Sequence, residues 1–519
     1  IGNYAFQDCS SLASITIPDG VISIGNYAFQ DCSSLASITI PNNVICIGNY
    51  AFQNCSSLAS ITIPDGVTSI GNYAFRDCSS LAAITIPNSV RSIENSAFSG
   101  CSGLVSILLG DQLTTIGEYA FDGCSSLTSI IIPNSVTSIG EFAFYGCSSL
   151  TSAAIGNGIT SLKGGTFCGC SGLTEIQMPN NLTNIEDAPD YHQVGNTGYS
   201  GFYGVFSGCS SLTSITIPIG VTSIGKKAFY NCSGLTSVNI PNSVTTIGEQ
   251  AFYNCNNLSS VKIGKNVSNI GEYAFYGCSS ITSIIIPNSV TKVGEFAFSG
   301  CSGLTSVKIG SGITVLMRAT FQNCNSLTTI TIPDNVIRIE DANSWGVYGS
   351  TGVFSHCKNL TSVTIPNSVK HIGNAAFIDC NLTSITIPGS VESMGSSVFS
   401  NNRNLTTVIL EDGITEIAKG TFSGCSTLSS IIIPNGVTSI GEGAFQNCNA
   451  LTSIKLPESL TSMGKNVFPS SIKSIELPDA FTVIPEGLFS GNNFQYIKLG
   501  NNVKSIGKNA FGSREPVIE

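Results

Sequence analysis

The residues best suited to chemistry in this 519-residue chain are 20 cysteines and three histidines. Two adjacent cysteines can form a disulfide, and four converging ones can hold zinc. Eighteen of the 20, from Cys9, Cys32 and Cys55 to Cys425 and Cys448, occupy one position of a recurring phrase. If copies of the phrase stack, these side chains line up at a strand spacing of about 4.8 Å. A disulfide needs its Cβ atoms closer, at about 3.8 Å, and a zinc site needs ligands that converge where a line diverges. The expectation is a ladder of reduced, buried thiols that behave as small hydrophobes. Asn402 and Asn492 take the same position in later copies. Cys46 and Cys168 lie off the ladder, too far apart to pair, and are expected to be exposed thiols.

Catalysis has little to draw on. The histidines are His192, His356 and His371, and no Ser/His/Asp set, paired-carboxylate cleft or phosphate loop stands out. His192 stands near Asp187 and Asp190, but three polar residues on a loop make a poor metal site. No enzyme activity, metal or cofactor is expected.

Aromatic side chains cluster in two insertions, "EDAPDYHQVGNTGYSGFYGV" and "EDANSWGVYGSTGV". The inserted loops span 186–204 and 340–352. Both begin Ile-Glu-Asp-Ala and end Gly-Val-Phe. Their flanks also match, since residues 116–144 return almost unchanged as 270–298, so a block was duplicated with its loop. Large rigid aromatics on loops make good partner anchors. The candidates are Tyr191, His192, Tyr199, Phe202, Tyr203, Trp345 and Tyr348. The alternative is that these aromatics pack on the flank of the array.

The elements that must position these residues follow from the period. Phenylalanines recur 23 residues apart from Phe6 to Phe167, then in two further runs to Phe511, making 22 copies. A fixed period of this size signals a solenoid or array rather than several globular domains. In "LTSIIIPNSVTSIGEFAFYGC" (127–147), Leu127, Ile130 and Ile132 give the alternation of a strand, and Pro133 ends it. Val136 and Ile139 form a second apolar pair, and the "EFAF" segment suggests a short helical turn. The expected fold is an α/β repeat solenoid: a right-handed arc with a parallel sheet on its concave side and short turns, 3-10 segments or short helices on the other. Residues 1–519 would form one array, with 468–519 as divergent capping repeats, because the cysteine column ends there and lysines appear. Residues before Ile1 are expected to be missing.

The residue between the two strand isoleucines should face outward. It is often Thr, but it is apolar at Leu108, Ile131, Ile409 and Ile432. These four are the second set of candidate partner contacts.

The combination Leu-x-x-Ile-x-Ile-Pro, Val-x-x-Ile-Gly and Ala-Phe-x-x-Cys resembles the BspA-like leucine-rich repeat family over essentially the whole chain. The resemblance implies a curved solenoid on a secreted or surface-anchored protein, often an adhesin, without shared catalytic residues or a shared ligand site. Composition fits this. Charged residues are only 10% of the chain, and a net charge of −10 argues against nucleic acid. No apolar run is long enough to span a membrane. The expected function is extracellular or cell-surface binding of a host matrix or cell-surface protein or glycoprotein. The alternative is a structural stalk or coat with no specific ligand.

Overall fold

A computed structural model describes residues 1–188, 203–342, 351–512 and 516–519. It divides into two compact units, Ile1–Val267 and Ser268–Glu519. Each is a solenoid of parallel strands in the leucine-rich-repeat manner, with about 21 turns between them.

A typical turn supplies two short strands, such as Ser37–Thr39 and Cys46–Ile47. In the first, Ile38 is buried while Ser37 and Thr39 are exposed, as period-2 alternation requires. Strands pair one turn apart in exact phase: Ser14 with Ser37, Ile15 with Ile38, Thr16 with Thr39. The proline after the strand accepts a hydrogen bond from the valine three residues on (Val44 N–H to Pro41 O, 3.0 Å), which closes the turn into the second strand. Glycine follows that second strand in many copies because the previous turn crowds it. A Cβ on Gly48 would sit 2.7 Å from the Asn26 backbone nitrogen, and one on Gly140 2.4 Å from that of Glu118.

Within each unit the phenylalanines stack as an internal column. In the first unit, ring centroids from Phe6 to Phe252 are 5.1–5.8 Å apart with nearly parallel planes. In the second, Phe275 to Phe445 repeat the arrangement at 5.3–5.8 Å. The insertions leave the stack intact. Asn184–Ile185 pairs directly with Ser223–Ile224, and Thr329–Thr331 with Ser362–Thr364.

The expected 3-10 or short helices are absent among the described residues, and the reason is in the backbone. In "NYAFQDC", Tyr27 and Asp31 both take positive φ, at 57° and 61°. A helix needs negative φ throughout. The N–H groups of Tyr27, Phe29 and Asp31 bond to carbonyls of the next turn, at Asn49, Ala51 and Gln53, so they are committed between turns and not within one.

Candidate functional site

The cysteine ladder is more than filler. Ladder thiols reach the carbonyl of the phenylalanine one turn back: Cys55 to Phe29 at 3.1 Å, Cys232 to Phe206 at 3.1 Å, Cys448 to Phe422 at 3.0 Å. The thiol supplies a second, small buried donor to a carbonyl that already accepts a backbone N–H within its own turn, as Phe29 does from Cys32 at 3.3 Å. Asn402 and Asn492 do the same with their amides, bonding Phe377 at 2.9 Å and Phe468 at 3.1 Å. Those two substitutions were the signal in the sequence that the column needs a donor. Nearly all the cysteines are buried and none is in a disulfide, and burial drives the Cys101 and Cys357 thiols up to about 12. Cys46 is exposed as expected. Cys168 is not: it is 6% exposed, and burial raises its thiol to about 12.

Two further columns carry left-handed backbone. The residue before the cysteine has positive φ and is Asp, Asn, His or Gly in turn after turn (Asp8, Asn54, Gly100, Asn231, His356), the types that tolerate it best. The second column sits four residues earlier and accepts tyrosine. Tyr4, Tyr27, Tyr50 and Tyr73 stack at 4.7–4.8 Å, and the Arg76 guanidinium lies 5.6 Å from the last ring. Beside them Gln7, Gln30 and Gln53 form an amide ladder with 3.0 Å steps. These flank side chains bond mainly to their counterparts one turn away.

At the roots of both insertions, the aspartate of Ile-Glu-Asp-Ala caps the next turn. Asp187 Oδ1 accepts from the Lys226 N–H at 2.7 Å, and Asp341 Oδ1 from the Asn374 N–H at 2.9 Å. Plain turns use an asparagine for the same bond, as Asn26 does for the Asn49 N–H. Asp341 Oδ2 also meets Arg338 and His371 Nε2, and His371 Nδ1 lies 2.7 Å from Ser393 Oγ. This Ser–His–Asp chain escaped the sequence because its members are far apart in the chain. It is an in-register cross-strand step whose carboxylate is already committed to Asn374 and Arg338, which makes it a clasp at the root of the second insertion. His356 is likewise paired, with Asp379 at 3.0 Å.

Of the loop candidates, Tyr191, His192, Tyr199, Phe202, Trp345 and Tyr348 lie outside the described residues. Tyr203 is described and is not an exposed anchor. It is 7% exposed, packed edge-on against Phe142 at 5.2 Å and beside Cys168, with Tyr119 and Tyr145 around them. A flank made of large aromatics offers this ring a better place than solvent, and the ring in turn covers the thiol. In the duplicated block Thr351 precedes Gly-Val-Phe where Tyr203 does, and the Arg318 guanidinium lies over Phe296 at 4.9 Å while pairing with Glu295.

The strand-face candidates project outward. Leu108 is 65% exposed, Ile131 73% and Ile432 84%, and Ile409 is also exposed. In the first unit they adjoin a groove of about 750 Å³ formed by residues of three successive turns, including Thr62, Thr85, Leu108, Asp65, Asn88 and Asp111. Threonines of the neighbouring columns are spoken for, since Thr114 and Thr151 donate to carbonyls one turn back. Among the described residues no group of three or more His, Cys, Asp or Glu could hold a metal ion, and no helix is long and apolar enough to cross a membrane.

Comparison with known proteins matches this geometry. The BspA type leucine rich repeat region describes residues 1–121, 96–189, 203–328, 269–344, 350–471 and 415–517. A leucine-rich repeat protein from Bacteroides ovatus is 30% identical over 77% of this chain and 92% of its own, with a TM-score of 0.60. One from Eubacterium ventriosum is 24% identical over 66% of this chain and 82% of its own, with a TM-score of 0.39. A leucine rich cell surface protein from Faecalibacterium prausnitzii is 27% identical over 79% of this chain and 82% of its own, with a TM-score of 0.30. No curated protein matches the sequence. With its repeat signature covered almost from end to end, the chain belongs to the BspA-type leucine-rich repeat family.

Proposed function

We propose that this chain is a non-enzymatic binding protein, secreted or held at a cell surface, that engages a protein or glycoprotein partner through its outward strand face and its two inserted segments. The observation that carries the reading is the outward column. Leu108 and Ile131 stand side by side with most of their surface in water, as do Ile409 and Ile432, where the flanking turns place Thr85, Ala154, Thr386 and Lys455. Adjacent exposed aliphatic side chains on an otherwise polar face are what a partner would cover. Family membership supports a scaffold role, and the buried thiols and paired histidines leave little for catalysis.

The test is surface binding of the full chain to a panel of purified extracellular-matrix and cell-surface glycoproteins. A specific, saturable partner is expected, with binding reduced at least tenfold in a Leu108→Ser/Ile131→Ser/Ile409→Ser/Ile432→Ser variant that melts like the parent. Binding that survives this variant and replacement of both insertions by plain turns sinks the reading. The alternative, a stalk or coat, draws support from residues 1–77, where the tyrosine and glutamine ladders bond to themselves.

A further inference from the structure

Charge is unevenly spread along the first unit. Residues 1–162 contain seven aspartates and three glutamates but only two cations, Arg76 and Arg91. Neither cation serves the groove. Arg76 lies by the Tyr73 ring and pairs with Asp77, and Arg91 donates to the Gln112 carbonyl and side chain. The first lysine of the outward strand column is Lys262, six turns beyond Leu108.

The groove beside Leu108 gathers this asymmetry. Its floor is the alternating strand face, with Thr62, Thr85 and Leu108 outward. Ile131, at the same strand position one turn on, extends the apolar surface at Leu108 and is exposed. Its rim is the turn after each strand, where Asp65, Asn88 and Asp111 follow one another. Asn88 is occupied, its Oδ1 accepting from the Asp111 N–H at 2.8 Å. The Asp65 and Asp111 carboxylates are exposed and have no ion-pair partner among the described residues. Two turns separate them, which is about 9–10 Å at the strand spacing. The surface therefore pairs an aliphatic patch with two carboxylates along one edge and no compensating cation.

We infer that this groove binds a cationic, apolar-anchored segment of a partner protein: one or two aliphatic or aromatic side chains seated on Leu108 and Ile131, flanked by Lys or Arg that reach Asp65 and Asp111. The inference rests on the binding-protein reading and names the chemistry of its partner. Aliphatic contact supplies most of the affinity, and the carboxylates select the sign of the partner's charge and speed encounter. An acidic or neutral segment of the same hydrophobicity meets the uncompensated rim and is disfavoured.

The experiment uses the full chain and three fluorescent 12-residue peptides: alternating Lys and Leu, alternating Glu and Leu, and alternating Lys and Ser. Anisotropy at low salt is expected to show binding of the Lys/Leu peptide alone, weakened several-fold by 0.5 M NaCl. Asp65→Asn/Asp111→Asn is expected to weaken it about fivefold. Leu108→Ser/Ile131→Ser is expected to weaken it tenfold or more. All four positions are exposed, so both variants should melt like the parent. Equal binding of the Glu/Leu peptide removes the role of the rim, and equal binding of the Lys/Ser peptide reduces the effect to bulk charge. Either result overturns the inference, as does self-association of the full chain through this face seen by sedimentation. Capture of a glycoprotein partner that is indifferent to both variants, with the Lys/Leu peptide also indifferent, overturns the inference and leaves the binding-protein reading standing. Peptide binding as expected, with no glycoprotein bound in the panel, has the opposite meaning.

Discussion

The Sγ of Cys55 lies 3.1 Å from the carbonyl oxygen of Phe29, and the thiol donates its proton across the gap between turns. The same bond recurs along the array, including Cys232 to Phe206 in the first unit. Removing one such donor takes away one of the two hydrogen bonds that the buried carbonyl accepts, at a cost of about 0.5–1.5 kcal/mol. Cys232→Ala is therefore expected to destabilise the array by about 1 kcal/mol in chemical denaturation. Cys232→Ser keeps a donor and should lose less. An alanine variant as stable as the serine variant would show that the column is packing alone.

Alkali should unfold the array. Burial holds the Cys101 and Cys357 thiols near 12, against an unfolded value near 9. Below pH 9 both states keep the proton and the contribution is fully present. As pH rises from 9 to 12 the unfolded chain releases protons that the folded chain retains, so stability falls. The slope is about 1.4 kcal/mol per pH unit for each buried thiol that becomes exposed. Melting temperatures measured from pH 8 to 11 should drop steeply and cooperatively. A flat profile over that range would remove the thiols from the balance.

Burial also raises the Asp122 carboxyl to about 6, partly offset by a hydrogen bond from Ser99. A raised carboxyl stabilises the fold fully only below its unfolded value of about 4, and the contribution is lost as pH rises to 6. At neutral pH Asp122 is a partly buried charge with weak compensation. Asp122→Asn should stabilise the first unit by about 1–3 kcal/mol at pH 7 and by little at pH 4. Equal effects at the two pH values would mean that the gain is not electrostatic.

The glycine after the second strand can be tested directly. A Cβ on Gly140 would stand 2.4 Å from the Glu118 backbone nitrogen, which cannot withdraw without breaking the ladder. Gly140→Ala should cost about 3 kcal/mol, the upper end for overpacking. Amide exchange in the turns around Val136–Phe144 should accelerate accordingly. Unchanged protection there would show that the turn has room to shift.

Much of this was legible in the sequence, because a repeated phrase reports its own burial pattern. The Ile38 column, the proline at the strand end and the buried cysteines could all be read from period and residue type. What could not be read was where backbone hydrogen bonds run. The helical look of "EFAF" comes from apolar spacing, yet the positive φ of Phe142 and Gly146 commits that segment to bonds between turns. The run of Asp, Asn, His and Gly before each cysteine held the clue, since those residues share only a tolerance of left-handed backbone. Of the candidate site, the strand face was legible because alternation fixes which side chains point out. Tyr203 was not, because nothing local says that a loop residue will find Phe142, a residue some 60 positions earlier in the chain.

That contact makes the last prediction. Tyr203 packs on Phe142 and beside Cys168, and together the three form a small buried cluster off the main core. Cys168 lies outside the ladder, so its protection depends on this cover and not on the stacked turns. Tyr203→Ala takes the cover away. Cys168 should then react with a thiol reagent in the native protein at a rate approaching that of the exposed Cys46, and its thiol should fall from about 12 toward the ordinary value. The ladder thiols should stay inert until the chain is denatured, because their cover is the array itself. Mass spectrometry after brief labelling reads all three classes in one sample. If Cys168 stays as slow as Cys170 in the variant, the flank itself covers the thiol, and Tyr203 is a passenger at the root of the insertion.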